Sequence, residues 1–468
     1  MLGAEAVGLV GFFTTIAMVM MIFEGGLTSS LIQKLSSSKA QELRGLARYK
    51  VSAGSMALTY FAFFIFLGIL ISTIVIISSK AIVENWLNFN LMSGADVVDS
   101  LVCIGLFVGM SLPIMILQGV LIGRERQFRL NLVYIPYSLA RTLGALIVVY
   151  FFYSSNNIKL YFVVQVVIQV FYLLGLVYFS FREFSDVYDK ICIKFGYLKK
   201  GISFSRGVFF ISITTVFVVQ FDKIYLSGHS TLVEYAAYTL ASTIAGMPYV
   251  FSSALNSVLF PRFSINLNIL DETKILDVFR ASSIGVVLLM GVLCPAIYFY
   301  GEDALKMVFP LALAKNVSSI LPVLIVGTAL QCLLIVPFAL QLAAKWTSMS
   351  LKLNCAWLPI VIVVLPLLVS IYGVIGGAYS WLLYNMYMCC MTFYFVGKRF
   401  DFVRVVNREL ISCLLFTIII AAIIFNFVKL YANEFFNVYT VLCLESISVV
   451  IMFLCGFLVF KKTLLKFK

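Results

Sequence analysis

The chain has 468 residues, of which 62% are hydrophobic and 12% are charged, and its formal net charge is +13. No polar stretch is longer than about 25 residues, which excludes a soluble domain with its own core. The positive charge does not indicate nucleic-acid binding, because the basic residues are spread over many short segments between apolar stretches. The composition therefore predicts a protein that lies almost entirely in a membrane.

Thirteen apolar stretches are each long enough to cross a bilayer, since a membrane helix needs about 20 mostly apolar residues. In chain order these stretches are residues 7–32, 51–78, 97–122, 131–153, 160–181, 207–228, 235–261, 278–300, 317–343, 353–372, 376–397, 410–428 and 438–460. The pattern predicts an all-α integral membrane protein with 13 visible transmembrane helices.

Basic residues concentrate in alternate loops and in the tail. They cluster at 34–50, 124–129, 182–206, 262–280, 345–352, 398–408 and 461–468. By the positive-inside rule these segments and the C-terminus are cytoplasmic. An odd number of helices then places Met1 outside, so we expect a parent chain with one more helix at its start, 14 in all.

A weak internal repeat agrees with this expectation. Glu5 to Ile16 resembles Glu234 to Ile244, and the second copy is preceded by a helix at 207–228, whereas the first copy is preceded by none.

Motifs for enzyme chemistry are missing from the sequence. It contains no Walker A loop, no G-x-G-x-x-G after a strand and no H-E-x-x-H. His229 is the only histidine, and the ten cysteines lie mostly inside apolar stretches without C-x-x-C spacing. We therefore predict a protein that is not an enzyme and that has no cofactor, no metal site and no disulfide framework.

Arg141 lies in the middle of an apolar helix, where a lipid-facing arginine costs roughly 3 kcal/mol or more. We expect it to face the bundle interior or a water-filled cavity. Asn131, Tyr134, Tyr137 and Ser138 share its face at helical spacing. A structural role, in which Arg141 locks a neighbouring helix by hydrogen bonds, is the alternative.

Two further groups of polar residues lie at membrane depth. Glu24 is suited to pairing with Arg141, to carrying a proton or to lying in an aqueous cleft, and the sequence leaves these open. Gln220, Asp222 and Lys223 form the second group. Adjacent helical residues point about 100° apart, so we expect Asp222 and Lys223 not to face one another.

Prolines inside the predicted helices free backbone groups and allow bending. Seven of them are residues 113, 136, 248, 295, 322, 337 and 359. Transporters use such breaks as hinges.

Several motifs resemble those of bacterial O-antigen flippases, which are polysaccharide biosynthesis proteins of the multidrug/oligosaccharidyl-lipid/polysaccharide exporter superfamily. The motifs are Leu2 to Gly8, Glu24 to Leu27, Leu117 to Gly119 with Arg124 to Phe128, Gln220 to Ile224, and Phe260 to Phe263. The resemblance covers residues 1 to about 400. Members begin with one more helix, and they usually carry aspartate where this chain has Glu24.

The resemblance implies two pseudo-symmetric six-helix lobes around a central cavity, plus two C-terminal helices. The predicted segments are an N-terminal lobe at 1–181, a cytoplasmic linker at 182–206, a C-terminal lobe at 207–397 and the additional helices with a basic tail at 398–468.

The implied function is a flippase that moves undecaprenyl-diphosphate-linked oligosaccharide across the bacterial inner membrane by alternating access. The implied partners are this lipid, the membrane lipids, a polysaccharide polymerase and chain-length machinery.

The candidate site follows from the charge of such a substrate. A diphosphate needs a wet or cationic route through hydrocarbon, and a guanidinium bonds two phosphate oxygens at once. We predict that Arg141, Lys223, Gln220 and Tyr137 bind substrate, and that Glu24 or Asp222 carries a proton if export is proton-coupled.

A multidrug or organic-cation exporter of the same superfamily is the alternative function. Such a pump is expected to present carboxylates instead of a buried arginine. A membrane glycosyltransferase would need larger outer loops or a catalytic acid/base cluster, and a scaffold would leave Arg141 unexplained.

Overall fold

The computed structural model describes residues 3–20, 22, 26–42, 46, 48–90, 92–151, 158–269, 272–344, 346, 348–435 and 444–456. These residues form helices α1 (Ala4–Met20), α2 (Leu27–Glu42), α3 (Arg48–Asn85), α4 (Gly94–Gly123), α5 (Gln127–Phe151), α6 (Ile158–Arg182), α7 (Phe195–His229), α8 (Leu232–Gly246), α9 (Pro248–Ile269), α10 (Glu272–Val308), α11 (Leu311–Leu333), α12 (Ile335–Ala343), α13 (Ser348–Tyr372), α14 (Ile375–Arg399), α15 (Asp401–Phe435) and α16 (Leu444–Gly456). A 3-10 turn at Ser185–Lys190 follows α6.

The all-α membrane class is confirmed. Within the described residues, seven helical segments are long and apolar enough to cross a membrane, and α1 and α16 are shorter apolar helices. The seven segments are Arg48–Asn85, Gly94–Gly123, Ile158–Arg182, Glu272–Val308, Leu311–Ala343, Ser348–Tyr372 and Asp401–Leu430. The count of 13 membrane helices and the two-lobe arrangement stay predictions.

Three predicted helices are interrupted in the structure. The stretch 7–32 divides into α1 and α2, 235–261 divides into α8 and α9, and 317–343 divides into α11 and α12. Pro248 is the first residue of α9 and Pro337 lies in the first turn of α12. Proline is tolerated at a helix start because its missing N–H has no helical partner there.

The other five of these prolines lie inside continuous helices. They are Pro113, Pro136, Pro295, Pro322 and Pro359. Only two of the seven therefore coincide with an interruption.

The weak repeat recurs in the helix boundaries. Helix α1 begins at Ala4 and α8 at Leu232, so the two starts differ by 228 residues. A break separates α1 from α2, and another separates α8 from α9. The two copies of the repeat therefore share a helix break as well as similar residues.

Contacts divide the chain into two units, Met1–Ala236 and Ala237–Lys468. In the first unit α3 packs along α4, α4 along α6, and α7 contacts α1, α2 and α3. Phe13, Tyr60, Phe64 and Phe162 are among its fully buried side chains. The predicted lobe boundaries at 181 and 207 stay predictions.

The second unit has its own core. Helix α10 packs against α15 and α11, and α11 packs against α14. Where α10, α15 and α16 meet, Tyr300, Phe425 and Met452 belong to one buried cluster. The Tyr300 hydroxyl donates to the Phe425 carbonyl at 3.2 Å, which satisfies a polar group inside this apolar cluster.

Candidate substrate-binding site

Helix α5 presents two different faces outside its packed side. It lies mainly against α6, and none of its described side chains is buried. Leu132, Ile135, Leu139, Leu143 and Ile147 form an exposed apolar face. The residues of the predicted polar stripe point away from that face, as the helical period requires. The apolar face suits lipid contact, and the polar face does not.

Arg141 is held by groups from three other helices. Its Nε donates to Oε1 of the buried Gln165 on α6 at 3.2 Å. The Gln165 amide donates in return to the Arg141 carbonyl at 3.3 Å. The guanidinium carbon lies 5.0 Å from the ring centre of Phe107 on α4 and 5.9 Å from that of Phe13 on α1. Arg141 is therefore held by a reciprocal amide bond and two aromatic rings.

Arg141 has no ion-pair partner among the residues that the structure describes. Within the described part of the chain, no carboxylate oxygen lies within 4.0 Å of its guanidinium. The bond to Gln165 is what the structural alternative predicts, and it uses one of the five donor hydrogens of arginine. A half-buried cation whose described neighbours are neutral favours binding of an anion.

Tyr137 lies one turn before Arg141 and continues the polar contact. Its hydroxyl donates to Oε1 of the buried Gln169 at 2.6 Å, and the Gln169 amide donates to Ser111 Oγ at 3.2 Å. The Tyr137 ring stacks on that of Tyr172, with centroids 4.0 Å apart and planes 12° apart. The Tyr172 hydroxyl accepts a bond from the Gln118 amide at 2.7 Å. Three helices, α4, α5 and α6, are joined by these bonds.

Gln220, Asp222 and Lys223 lie on α7, which contacts α1 from another side. The Gln220 amide donates to Met18 Sδ on α1 at 3.1 Å. Asp222 is buried at 6% exposure. Thr15 of α1 and Tyr235 of α8 share a buried hydrogen bond of 2.8 Å. Helix α1 thus contacts Arg141 through Phe13 and Gln220 through Met18.

The expectation that Asp222 and Lys223 do not face one another is wrong. The Lys223 ammonium lies 3.4 Å from Asp222 Oδ2, and the Lys223 backbone N–H donates to Oδ1 at 2.8 Å. The lysine stem is long enough to fold back over the preceding residue, which overrides the angular separation of the Cβ atoms. Lys223 is therefore partly neutralised by its neighbour.

Glu24 lies outside the described residues, so its three interpretations stay predictions. Of the two proton-carrier candidates, the structure describes Asp222 alone. The substrate-binding roles assigned to Arg141, Tyr137, Gln220 and Lys223 also stay predictions. The structure brings Arg141 and Tyr137 together on α5, whereas Gln220 and Lys223 lie on α7.

A cluster of ion pairs joins the ends of several helices at the arginine-rich end of α5. The buried Glu183 accepts from Arg126 Nε and Arg129 Nη1, each at 2.8 Å. Arg124, exposed by only 2%, donates to Glu42 of α2 at 2.7 Å and lies 3.7 Å from Glu183. Because one carboxylate receives several arginines, α2, α4, α5 and α6 are tied together at this end.

The same charges shift the pKa values of groups outside the membrane-spanning segments. Its hydrogen bond to Glu183 raises the pKa of Arg126. A hydrogen bond from Lys39 lowers the pKa of Glu125, and one from Lys50 lowers that of Asp186. In each case the ion pair favours the charged form of the group, and this shifts its pKa.

Glu125 has a backbone conformation that is unusual for its residue type. Its φ is +58°, in the left-handed region, at the turn that ends α4. The Arg126 N–H donates to the Leu121 carbonyl at 2.8 Å, as in a Schellman motif. This turn orients Arg124 and Arg126 toward Glu183.

A separate cavity of about 360 Å³ lies between α1, α3 and α7. Phe12, Ile16, Ile74 and Trp86 are among its mainly apolar lining, and no charged residue lines it. Its chemistry suits a hydrocarbon chain and not an anion.

Sequence reasoning missed the glutamines that support α5. Gln165 and Gln169 are four residues apart in the apolar stretch 160–181, and Tyr172 lies one turn further on. That spacing places all three on one helix face, which was a sufficient signal. Glu183 was also missed, because it is one of three acidic residues in a basic loop and the sequence does not show which of them is buried.

Within the described ranges, no group of three His, Cys, Asp or Glu side chains has the geometry of a metal site. Apart from Cys332, the cysteines that the structure describes are free thiols.

The fold places the chain in the class of polytopic helical membrane proteins, because seven of its described helical segments are long and apolar enough to cross a membrane. The chain belongs to the polysaccharide biosynthesis protein family, which it matches over residues 1–267. The resemblance noted from the sequence motifs is therefore confirmed at the level of the family.

Relatives and solved structures agree with this family. The chain is 24% identical over 388 residues to a Shigella flexneri protein named "Putative O-antigen transporter", covering 81% of this chain and 87% of that one. An inward-facing multidrug resistance MATE family transporter of the MOP superfamily superposes with a TM-score of 0.70 at 14% identity, covering 86% of this chain and 92% of the other.

The lipid II flippase MurJ in its inward closed conformation gives a TM-score of 0.69 at 11% identity, with 98% and 97% coverage. These two structures share the fold. The names of all three proteins describe transport, in agreement with the prediction of a transporter instead of an enzyme.

Proposed function

We propose that this protein is a flippase for undecaprenyl-diphosphate-linked oligosaccharides in the bacterial inner membrane. It moves the lipid-linked repeat unit from the cytoplasmic to the outer leaflet during surface polysaccharide synthesis, and its C-terminus is cytoplasmic. The family membership and the O-antigen relative support a role in polysaccharide export. A polysaccharide polymerase and chain-length machinery use the product.

One observation carries the proposal. Arg141 is a half-buried cation on a membrane helix, and its charge is balanced by no carboxylate among the described residues. The diphosphate of the substrate carries at least two negative charges whose desolvation in hydrocarbon is prohibitive. A guanidinium that has already lost part of its water replaces hydration with direct bonds to phosphate oxygens.

The alternative, an organic-cation exporter, fits this chemistry poorly. A cationic drug is attracted by carboxylates and aromatic rings, and a fixed positive charge in its path repels it. The two rings at Arg141 are already occupied by the guanidinium. Asp222 is a carboxylate on α7, but the Lys223 ammonium lies 3.4 Å from it.

The function is tested by restoring surface polysaccharide in cells that lack their own O-antigen flippase and carry the donor glycan pathway. We expect the wild-type chain, or the chain with an upstream helix added, to restore long-chain polysaccharide. We expect Arg141→Ala to lower export about 10- to 100-fold, the range for a lost charge-assisted bond. Arg141→Lys keeps the charge but not the fork, so it should retain intermediate activity.

Arg404→Ala is the matched control. Arg404 is an exposed arginine on α15 that lies 3.8 Å from Asp401. Each variant is first shown to be inserted in the membrane. Export by Arg141→Ala at the wild-type level would contradict the role of Arg141. Failure of both wild-type forms, combined with resistance to cationic drugs, would favour the exporter.

A further inference from the structure

We infer that the polar face of α5 is a sugar-binding subsite, where Tyr134 and Tyr137 bind pyranose rings beside the diphosphate at Arg141. This inference rests on the proposed function and adds to it the position and orientation of the glycan. The glycan would extend from Arg141 toward the arginine-rich end of α5.

The spacing along α5 suits a short glycan. Tyr134 and Arg141 are seven residues apart, so they share one face and lie about 10 Å apart along the axis. Tyr137 and Ser138 lie between them. A diphosphate bound at Arg141 therefore places the first sugar at Tyr137 and the next at Tyr134.

The rings of this face suit sugar binding. Tyr134 is 46% exposed, and its ring centre lies 6.3 Å from those of both Tyr137 and Tyr172. The C–H face of a pyranose is apolar and its rim is polar. A tyrosine offers a matching apolar ring and a polar hydroxyl at little conformational cost.

Exposure to lipid does not account for this face. The apolar residues of α5 lie on the adjacent face and include Leu132, Leu139 and Leu143. The side of Tyr134 also carries Asn131, which is exposed, and Ser138, which is half-buried. Such polar groups lie on the interior or water-facing side of membrane helices, where a polar ligand reaches them.

The groups behind the face hold it in position. Gln169 is 2% exposed and fixes the Tyr137 hydroxyl, and Gln118 fixes the hydroxyl of Tyr172, against which the Tyr137 ring stacks. Because the hydrogen bonds keep these rings in place before ligand arrives, binding loses little side-chain entropy. Gln118 and Gln169 are positioning residues, and Tyr134 and Tyr137 are the contact residues.

The test compares two lipids on the full chain in nanodiscs. One probe is undecaprenyl diphosphate, and the other is the same lipid bearing a disaccharide of an N-acetylhexosamine and a hexose. Binding is measured by native mass spectrometry for the wild type, Tyr134→Ala, Tyr134→Phe and Arg141→Gln. Tyr188→Ala is the control, since Tyr188 is also exposed, at 62% against 46% for Tyr134, but lies in the 3-10 turn outside the membrane helices.

We expect Tyr134→Ala to lower the affinity for the disaccharide lipid about 3- to 10-fold, the range for one aromatic contact. The affinity for the bare lipid should not change. Tyr134→Phe keeps the ring and should bind both lipids nearly as the wild type does. Arg141→Gln should weaken both lipids. The Tyr188→Ala control should change neither.

Two results would overturn the subsite while leaving the flippase intact. One is that Tyr134→Ala loses affinity for both lipids equally, which indicates that Tyr134 packs the helices. The other is no loss of either lipid. If the wild type binds neither lipid, the proposed function fails and the subsite fails with it.

Discussion

At the scale of single residues, Glu183 is the acidic centre of the ion-pair cluster formed with Arg124, Arg126 and Arg129. Its side chain is 5% exposed and two of the arginines donate to it at 2.8 Å. Glu183→Gln removes the charge and leaves the buried Arg124 with Glu42 as its only ion-pair partner in the described structure. We expect a loss of about 3 kcal/mol in the free energy of unfolding, measured by chemical denaturation in detergent.

Glu125→Gln is the matched control, because Glu125 lies near the same cluster with 73% of its side chain exposed and pairs with Lys39 at 2.7 Å. An exposed pair is screened by water, so the change should cost much less than Glu183→Gln does. Equal losses in the two variants would show that burial does not decide the contribution of Glu183.

Arg141 shows how far residue-level reasoning reaches. Its position in an apolar stretch was sufficient to single it out, because a charge at membrane depth is costly when it faces lipid. Its partners were not predictable, because Phe13, Phe107 and Gln165 come from three other helices. The prediction that Asp222 and Lys223 do not meet was wrong, because a long flexible side chain does not follow the direction of its Cβ atom.

At the scale of elements, the contact between α3 and α4 depends on two glycines. A Cβ atom on Gly109 would lie 2.5 Å from the Gly68 carbonyl oxygen and 1.9 Å from Ser72 Oγ. Small residues let membrane helices approach closely where apolar burial gives no driving force. Gly109→Ala must separate the two backbones, and we expect it to cost about 1–3 kcal/mol of unfolding free energy.

Gly196→Ala is the matched control for this prediction. Gly196 lies in the first turn of α7, and a Cβ atom there meets no atom within 4 Å. Alanine is a better helix former than glycine, so this variant should be neutral or slightly stabilising in the same thermal or chemical denaturation. A loss in Gly196→Ala as large as that in Gly109→Ala would contradict the close-approach explanation.

The helix boundaries show which structural features the hydropathy pattern predicts and which it does not. The stretches 51–78, 97–122 and 160–181 lie within α3, α4 and α6, as predicted. The pattern did not reveal the breaks within 7–32, 235–261 and 317–343, because a break leaves the hydropathy of a stretch unchanged. Pro248 and Pro337 lie close to two of those breaks, but five other prolines lie inside continuous helices.

At the scale of the whole molecule, the two negative charges of the proposed substrate predict which gradient drives its export. Moving two negative charges outward through a potential that is negative inside gains about 4–5 kcal/mol per 100 mV. We therefore expect transport in proteoliposomes to slow when the membrane potential is collapsed, and to continue when only the pH gradient is collapsed. The measurement is the rate at which a lipid-linked oligosaccharide becomes accessible on the outer face.

Asp222→Asn is the matching variant. If the potential alone drives export, the variant changes the transport rate, but collapse of the pH gradient still does not slow transport. Transport that stops when the pH gradient is collapsed would instead favour proton antiport, and loss of that dependence in Asp222→Asn would identify Asp222 as the carrier.

The sequence by itself determined that this is a helical membrane protein and which family it resembles, and it singled out Arg141 as a cation inside an apolar stretch. These follow from local quantities, namely the length and hydropathy of each stretch, the cost of charge in hydrocarbon and short motifs. Only the tertiary structure revealed the glutamines that hold α5, the burial of Glu183 and the pairing of Asp222 with Lys223. These depend on which helix faces meet, and a hydropathy pattern specifies that a face is buried but not what it is buried against.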